Sequence, residues 1–365
     1  MKTTDNAVCK PAVKERDPWL DNAKGILILL VVTGHMMSGL CSHADWLMTM
    51  YKTITGSHML LFTFITGYLA KRRIENKEYD KIIARFFVPY LILQFIYYIV
   101  LCIQNIFTKT MSDGQSLSRL VWGRPIYLLW FLMTVFLCAM IATVLPCKKH
   151  PVLVLVGAFL ISWAAIFLPE ITYLRLSKTL GYLPVFLLGY IFDKEKLMFL
   201  RNNKALRIVA AAIVAGWLAF FILGTQYVYR NVLNLATCYW NFKAAYRGMY
   251  GIFARPVFLI CGMFFSLSFL VLIPRCKTAF TNLGQKSLYV FALHGIVVLL
   301  WRTFNAKVYS VNSRINSPIE YIAFFLLVAA MTFFLGSNFI SKIFKPVFEP
   351  NIDLSRFFKK KDAAV

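Results

Sequence analysis

The stretch RDPWLDNAKGILILLVVTGH, residues 16–35, decides the fold. It begins with charged and polar residues, passes into an apolar run that continues to about residue 42, and places a histidine inside that run. A bilayer's hydrocarbon is ~30 Å thick and an α-helix rises ~1.5 Å per residue, so ~20 mostly apolar residues cross it. The stretch therefore reads as a first transmembrane helix. A cleavable signal peptide is not expected, because the run is long and has no small-residue cleavage site.

The rest of the chain repeats this pattern. Of its 365 residues 59% are hydrophobic, 16% aromatic and only 15% charged, whereas a soluble domain is nearer half apolar and a quarter charged. Ten apolar runs are long enough to be spans, at about 23–42, 53–70, 86–104, 126–145, 151–169, 179–192, 205–224, 250–273, 285–302 and 318–341. The expected fold is an all-α polytopic membrane protein with about ten transmembrane helices. A short N-terminal segment (1–22) and a basic tail (342–365) flank one membrane domain (23–341). No internal repeat or low-complexity segment interrupts it.

The net charge of +24 would suit nucleic acid. Its distribution does not, because the cations lie in short clusters between apolar runs, as an orientation signal does. With the N-terminus inside, the inside segments hold 27 of the 40 Lys and Arg. Both termini are therefore expected in the cytoplasm, and the longest outside loop at about 225–249. Its Tyr227, Tyr229, Tyr239 and Trp240 suit an interfacial belt or a surface that stacks on sugars. Eight scattered cysteines form no CxxC pair and no metal-ligand spacing, so neither a disulfide framework nor a metal is expected.

Ionisable groups inside a span are costly and are functional candidates. His35, His58 and His294 qualify. They lie ~16, ~20 and ~12 Å from the inner ends of their runs at ~1.5 Å per residue, which predicts a shared polar cavity near mid-membrane. Lys24 lies three turns below His35 on one face, and Asp21 shares that face with it. The pair reads either as an interfacial anchor or as a fixed cation at a cavity mouth. Gly25 allows a neighbouring backbone to come close. A neutral imidazole in a dry cavity can take the proton of an attacking hydroxyl, which suits acyl transfer from a thioester to an alcohol. There is no GxSxG elbow and no Ser/His/Asp set, so no serine intermediate is expected. Lys71, Arg72, Arg73, Lys77, Lys81 and Arg85 form a dense inner cluster. It serves as an orientation signal or as a seat for a multiply phosphorylated ligand such as coenzyme A. Arg255, beside Pro256 near the outer end of the eighth run, suits acceptor binding or snorkelling.

These residues resemble a known family. Lys24, ten residues and His35 are similar to the basic-residue/ten/histidine motif of the acyltransferase-3 family of integral membrane acyltransferases. The stretch DNAKGILILLVVTGH resembles the opening of its fucose 4-O-acetylase-like branch. SHMLLFTFITGY (57–68), RFFVPY (85–90), LLWFLMTVF (128–136), LGYLPVFLLGY (180–190) and GQKSLYVFALHG (284–295) resemble later segments in the same order. The resemblance covers about 16–340. It implies transfer of an acyl group, usually acetyl from cytoplasmic acetyl-CoA, to a cell-surface or lipid-linked glycan at the bacterial plasma membrane. His35 would be the catalytic histidine and Lys24 its basic partner, where Arg is common. Lys71, Arg72, Arg73 and Arg85 would bind the CoA phosphates; His58 and His294 match positions of that branch with no fixed role and stand, with Arg255, as candidates for substrate binding. One departure is that many members carry Arg-x-x-Arg before the third-helix proline, whereas this chain has Lys81 and Arg85 four apart. Expected partners are the glycan and membrane lipid; a homodimer stays open. The alternatives are a glycan or lipid-linked-sugar transporter, for which midplane polar groups also fit, and an acyltransferase with a non-glycan acceptor or a succinyl donor.

Overall fold

The computed structural model describes residues 17–41, 44–56, 58–108, 123–168, 171, 173–223, 251–304, 315 and 317–349. The aromatic loop at 225–249 and most of the two terminal segments lie outside them. Among the described residues no β-strand forms, and seven helical segments are long and apolar enough to span a bilayer: Pro18–Met37, Tyr79–Phe107, Tyr127–Val144, Lys204–Leu223, Ile252–Leu272, Ser287–Phe304 and Pro318–Leu335. The other three expected runs also form helices, but these are shorter or more polar.

Helix α1 (Pro18–Met37) is the axis of the fold. Asp17 caps it by accepting from the Trp19 amide at 3.0 Å, Pro18 takes the first turn where no amide partner is needed, and Asp21 complements the helix N-terminus. Most of its side chains are buried, among them Leu27, Ile28, Val31 and Val32. It packs on α2 (Asp45–Thr55), α3 (His58–Glu75), α12 (Ala279–Gln285), α13 (Ser287–Phe304) and α14 (Pro318–Leu335). Its lower end is pinned by Asn22, which is fully buried. The amide donates to the carbonyls of Pro274 and Cys276 at 2.9 and 2.8 Å and accepts from the hydroxyls of Thr278 and Thr281 at 2.8 and 2.6 Å. Gly25 faces the Phe280 carbonyl, and a Cβ there would overlap it, so the glycine allows α1 and α12 to touch backbone to backbone.

A second close crossing joins α3 to α8 (Leu176–Ile191), where Gly67 meets the Phe186 carbonyl and Gly189 meets the Phe64 carbonyl. Between them in sequence lie α4 (Tyr79–Ile82), which runs through a π-turn at Ile83–Phe87 into α5 (Val88–Thr108), α6 (Trp130–Val144) and α7 (Pro151–Ala164). After α8 come the short α9 (Lys194–Asn202), α10 (Lys204–Leu223) and α11 (Gly251–Leu272); α15 (Asn338–Phe348) closes the described chain.

Two boundaries differ from the sequence expectation in ways that move the site. The second run, expected from residue 53, is broken: α2 ends at Thr55, and α3 begins at His58. The first helix begins at Pro18 and ends at Met37, so His35 lies in its last turn and not mid-run. The histidines thus lie toward one end of α1 and α3, with only His294 well inside its helix.

Candidate functional site

A cavity of about 150 Å³ opens between α1, α3, α6 and α13. Its lining follows one stripe on each helix. On α1 the stripe is Lys24, Ile28 and Val31; on α3 it is Arg73, Thr66, Phe62 and Met59; on α6 Val135 and Phe131; on α13 Ser287 and Phe291. Spacings of three and four residues keep a stripe on one face. Continued by one turn, the stripes on α1, α6 and α13 reach His35, Tyr127 and His294, and His58 precedes Met59 at the start of α3. The lower end carries Lys24, Arg73 and Arg85 with Gln285, Ser287 and Tyr289, against one carboxylate, Glu349.

The far ends of the stripes converge. The His35 and His294 rings are 5.7 Å apart, centre to centre, tilted by 41°. Tyr127 meets His35 edge-on at 5.7 Å, its hydroxyl 3.5 Å from Nδ1. His294 is completely buried and His58 nearly so, whereas His35 keeps part of its surface open. Arg302 stacks over the Tyr127 ring at 5.2 Å and donates to the Ser38 hydroxyl at 3.0 Å, which itself donates to the His35 carbonyl at 2.8 Å. Tyr127 holds this place with a left-handed backbone, φ 47°, unusual for a bulky aromatic. The imidazoles of His58 and His294 each bond to a carbonyl four residues back, Ile54 and Val290, through Nδ1. A carbonyl only accepts, so Nδ1 carries the proton in both and Nε2 is left as an acceptor.

Between the basic end and the histidines lie three phenylalanines. Phe131 touches Phe62 at 6.2 Å and Phe291 at 5.9 Å between ring centres, and Phe291 lies 6.0 Å from His294. These rings line the cavity on its histidine side.

The structure sorts the other expected residues. Asp21 is buried and pairs with Lys24 at 2.7 Å. Arg73 and Arg85 join Lys24 at the cavity, but Lys71 and Arg72 do not. Lys71 turns to Asp193 at 3.3 Å and the Phe192 carbonyl at 3.5 Å; hydrogen bonds from Lys71 and Lys196 hold the Asp193 carboxyl below its usual range. Arg72 is exposed. Arg255 is buried elsewhere, donating to the Ser162 carbonyl at 3.0 Å where α11 meets α7. Sequence reasoning missed Tyr127, Arg302 and the phenylalanine trio. LLWFLMTVF, SHMLLFTFITGY and GQKSLYVFALHG contain Phe131, Phe62 and Phe291, but nothing in them marked the three as neighbours. Among the described residues no group of three or more His, Cys, Asp or Glu could hold a metal ion.

A set of membrane-length helices around a cavity with a basic end defines a multi-pass membrane protein. The acyltransferase-3 family model, an acyltransferase domain, matches residues 17–337; the chain belongs to that family and is a membrane acyltransferase. It is similar to the nodulation protein NolL of Mesorhizobium japonicum, 25% identical over 321 residues covering 84% of each chain. It is also similar to NolL of Sinorhizobium fredii, 28% identical over 236 residues covering 62% of this chain and 63% of that one. No solved structure matches the chain significantly.

Proposed function

We propose that the protein is an O-acetyltransferase that moves an acetyl group from cytoplasmic acetyl-CoA to a hydroxyl of a cell-surface or lipid-linked glycan. The observation that carries this reading is the alignment of Lys24, Ile28, Val31 and His35 on one face of α1, with cations at one end and a histidine cluster at the other. The Lys and Arg bias puts the cationic end in the cytoplasm, where CoA phosphates would meet Lys24, Arg73 and Arg85. His35, the partly open member of the cluster, accepts the hydroxyl proton as the oxygen attacks the thioester carbonyl. Collapse of the tetrahedral adduct breaks the carbon–sulfur bond, and the proton passes from His35 to the leaving thiolate. Asp21 holds Lys24 in place. Tyr127 and His58, with His294, line the acceptor's end.

The test is transfer of label from radioactive acetyl-CoA to acceptor in membranes of the producing cells. His35→Ala is expected to reduce transfer at least 1000-fold, on the order of what removing the reacting base costs, with unchanged membrane insertion. Near-normal transfer by that variant would refute the role of His35. Movement of an intact glycan with no release of CoA would point to transport.

A further inference from the structure

His294 has a ring nitrogen that no described residue uses. Its side chain is completely buried on α13, its Nδ1–H donates to the Val290 carbonyl at 2.9 Å, and Nε2 has no hydrogen-bond partner among the described residues. A buried acceptor left unsatisfied is destabilising. Folded proteins rarely keep one without a use, such as a catalytic role or an unseen ligand. Apolar side chains at the same position would have avoided the penalty. The ring centres of His294 and His35 are 5.7 Å apart, so the two imidazoles are direct neighbours. Phe291 abuts the ring at 6.0 Å. The Tyr127 hydroxyl lies a loose 3.5 Å from His35 Nδ1, and Arg302 stacks over the Tyr127 ring.

We propose that His294 is a positioning residue for His35: its Nε2 accepts a hydrogen bond from the His35 ring while that ring holds the proton taken from the attacking hydroxyl. This deepens the reading above and rests on it. When the alcohol oxygen bonds to the thioester carbon, its proton moves to His35, which becomes an imidazolium inside an apolar enclosure. A charge there needs an acceptor, because burying it unpaired is prohibitive. Val290 fixes the His294 tautomer in advance, so no reorganisation is needed when the charge appears. As the carbon–sulfur bond breaks, the proton leaves with the thiol, and His294 returns to its neutral resting partnership unchanged.

The experiment compares two substitutions in membranes of the producing cells, with labelled acetyl-CoA as donor. His294→Phe keeps a ring of similar volume without an acceptor. His294→Gln keeps an acceptor at about the reach of Nε2 but loses the ring. The expected result is a roughly 10–100-fold fall in kcat for the Phe variant, as for loss of a hydrogen bond to a charged group. KM for acetyl-CoA should stay within twofold, and the Gln variant should recover at least a tenth of the wild-type rate. A packing role predicts the reverse order, with Phe at least as active as Gln, and that order overturns the proposal, as does a wild-type rate in both. Should the Phe variant fail to assemble, His294→Ala with added imidazole decides: concentration-dependent recovery supports the proposal and none refutes it. If His35→Ala abolishes transfer while the His294 variants keep it, only this inference falls. If wild-type membranes move no label, the acetyltransferase reading falls and takes this with it.

Discussion

Replacing Lys24 by Met separates the two roles that its place on α1 allows. The Nζ lies 2.7 Å from Asp21 Oδ1, with side-chain exposures of 11% and 3%. At an effective dielectric of ~20 that separation is worth about 6 kcal/mol of attraction before desolvation is counted. Deleting the lysine strands a buried carboxylate, which costs on the order of 3–5 kcal/mol. Lys24→Met should therefore destabilise the protein by about 3–5 kcal/mol, and Asp21→Asn combined with Lys24→Met should recover most of it, because no charge is left unpaired. Unfolding in detergent, followed by tryptophan fluorescence, measures both; Trp19 on the same helix is a buried reporter. Catalysis should behave otherwise. Lys24 lies eleven residues below His35, or ~16 Å along the helix, too far to touch the reacting atoms. The double variant should thus be stable, turn over with nearly the wild-type kcat, and show a KM for acetyl-CoA raised about 10–100-fold, the worth of one charge-assisted contact. A double variant with wild-type KM would show that Lys24 only anchors the helix. A single variant losing under about 1 kcal/mol would show that the pair is solvated in a way its burial denies.

Two further outcomes follow from the same geometry. Arg73→Gln with Arg85→Gln should raise the KM for acetyl-CoA by roughly 100-fold with little change in kcat, whereas Lys71→Gln, whose ammonium is engaged with Asp193, should leave both within about threefold; equal effects from the two would refute the division of the cluster. Asn22→Leu should destabilise the protein by at least ~3 kcal/mol, since two carbonyls and two hydroxyls lose their partner at ~1 kcal/mol or more each. A loss under about 1 kcal/mol in the same fluorescence assay would mean the amide does not pin α1.

The helices were legible because hydrophobic length is a local property: any run near twenty residues has few soluble uses. The end of α2 at Thr55 was not. Thr53, Thr55 and Gly56 read as a polar start to one helix, when they end an eleven-residue helix that lies before it. The inner edge of the third span was set too late, at 86, because charge was taken to stop the helix. Lys81 and Arg85 instead ride on a helical segment that begins at Tyr79, where their side chains reach the aqueous end. Within the site, the spacing of Lys24 and His35 carried its own geometry, since both lie on one helix. The choice among Lys71, Arg72 and Arg73 did not. Neighbouring residues on a helix point about 100° apart, and which one faces the cavity depends on the face that Gly67 turns to α8. Tyr127 was invisible for a stronger reason: its partner is 92 residues away, and its left-handed backbone leaves no mark in the sequence.

The phenylalanine trio explains why the two ends of the site are built so differently. A thioester that met water alongside the acceptor would be hydrolysed, and a base open to both sides of a membrane would leak protons. Phe62, Phe131 and Phe291, packed around Phe131, give the cavity an apolar lining between the basic end and the histidines along their helices. Cations below it suit phosphates and do not need to be dry. Imidazoles beyond it act best where water is excluded, because there a fixed acceptor such as His294 Nε2 is worth most. The polar groups of each end are useful because the phenylalanines between them carry none.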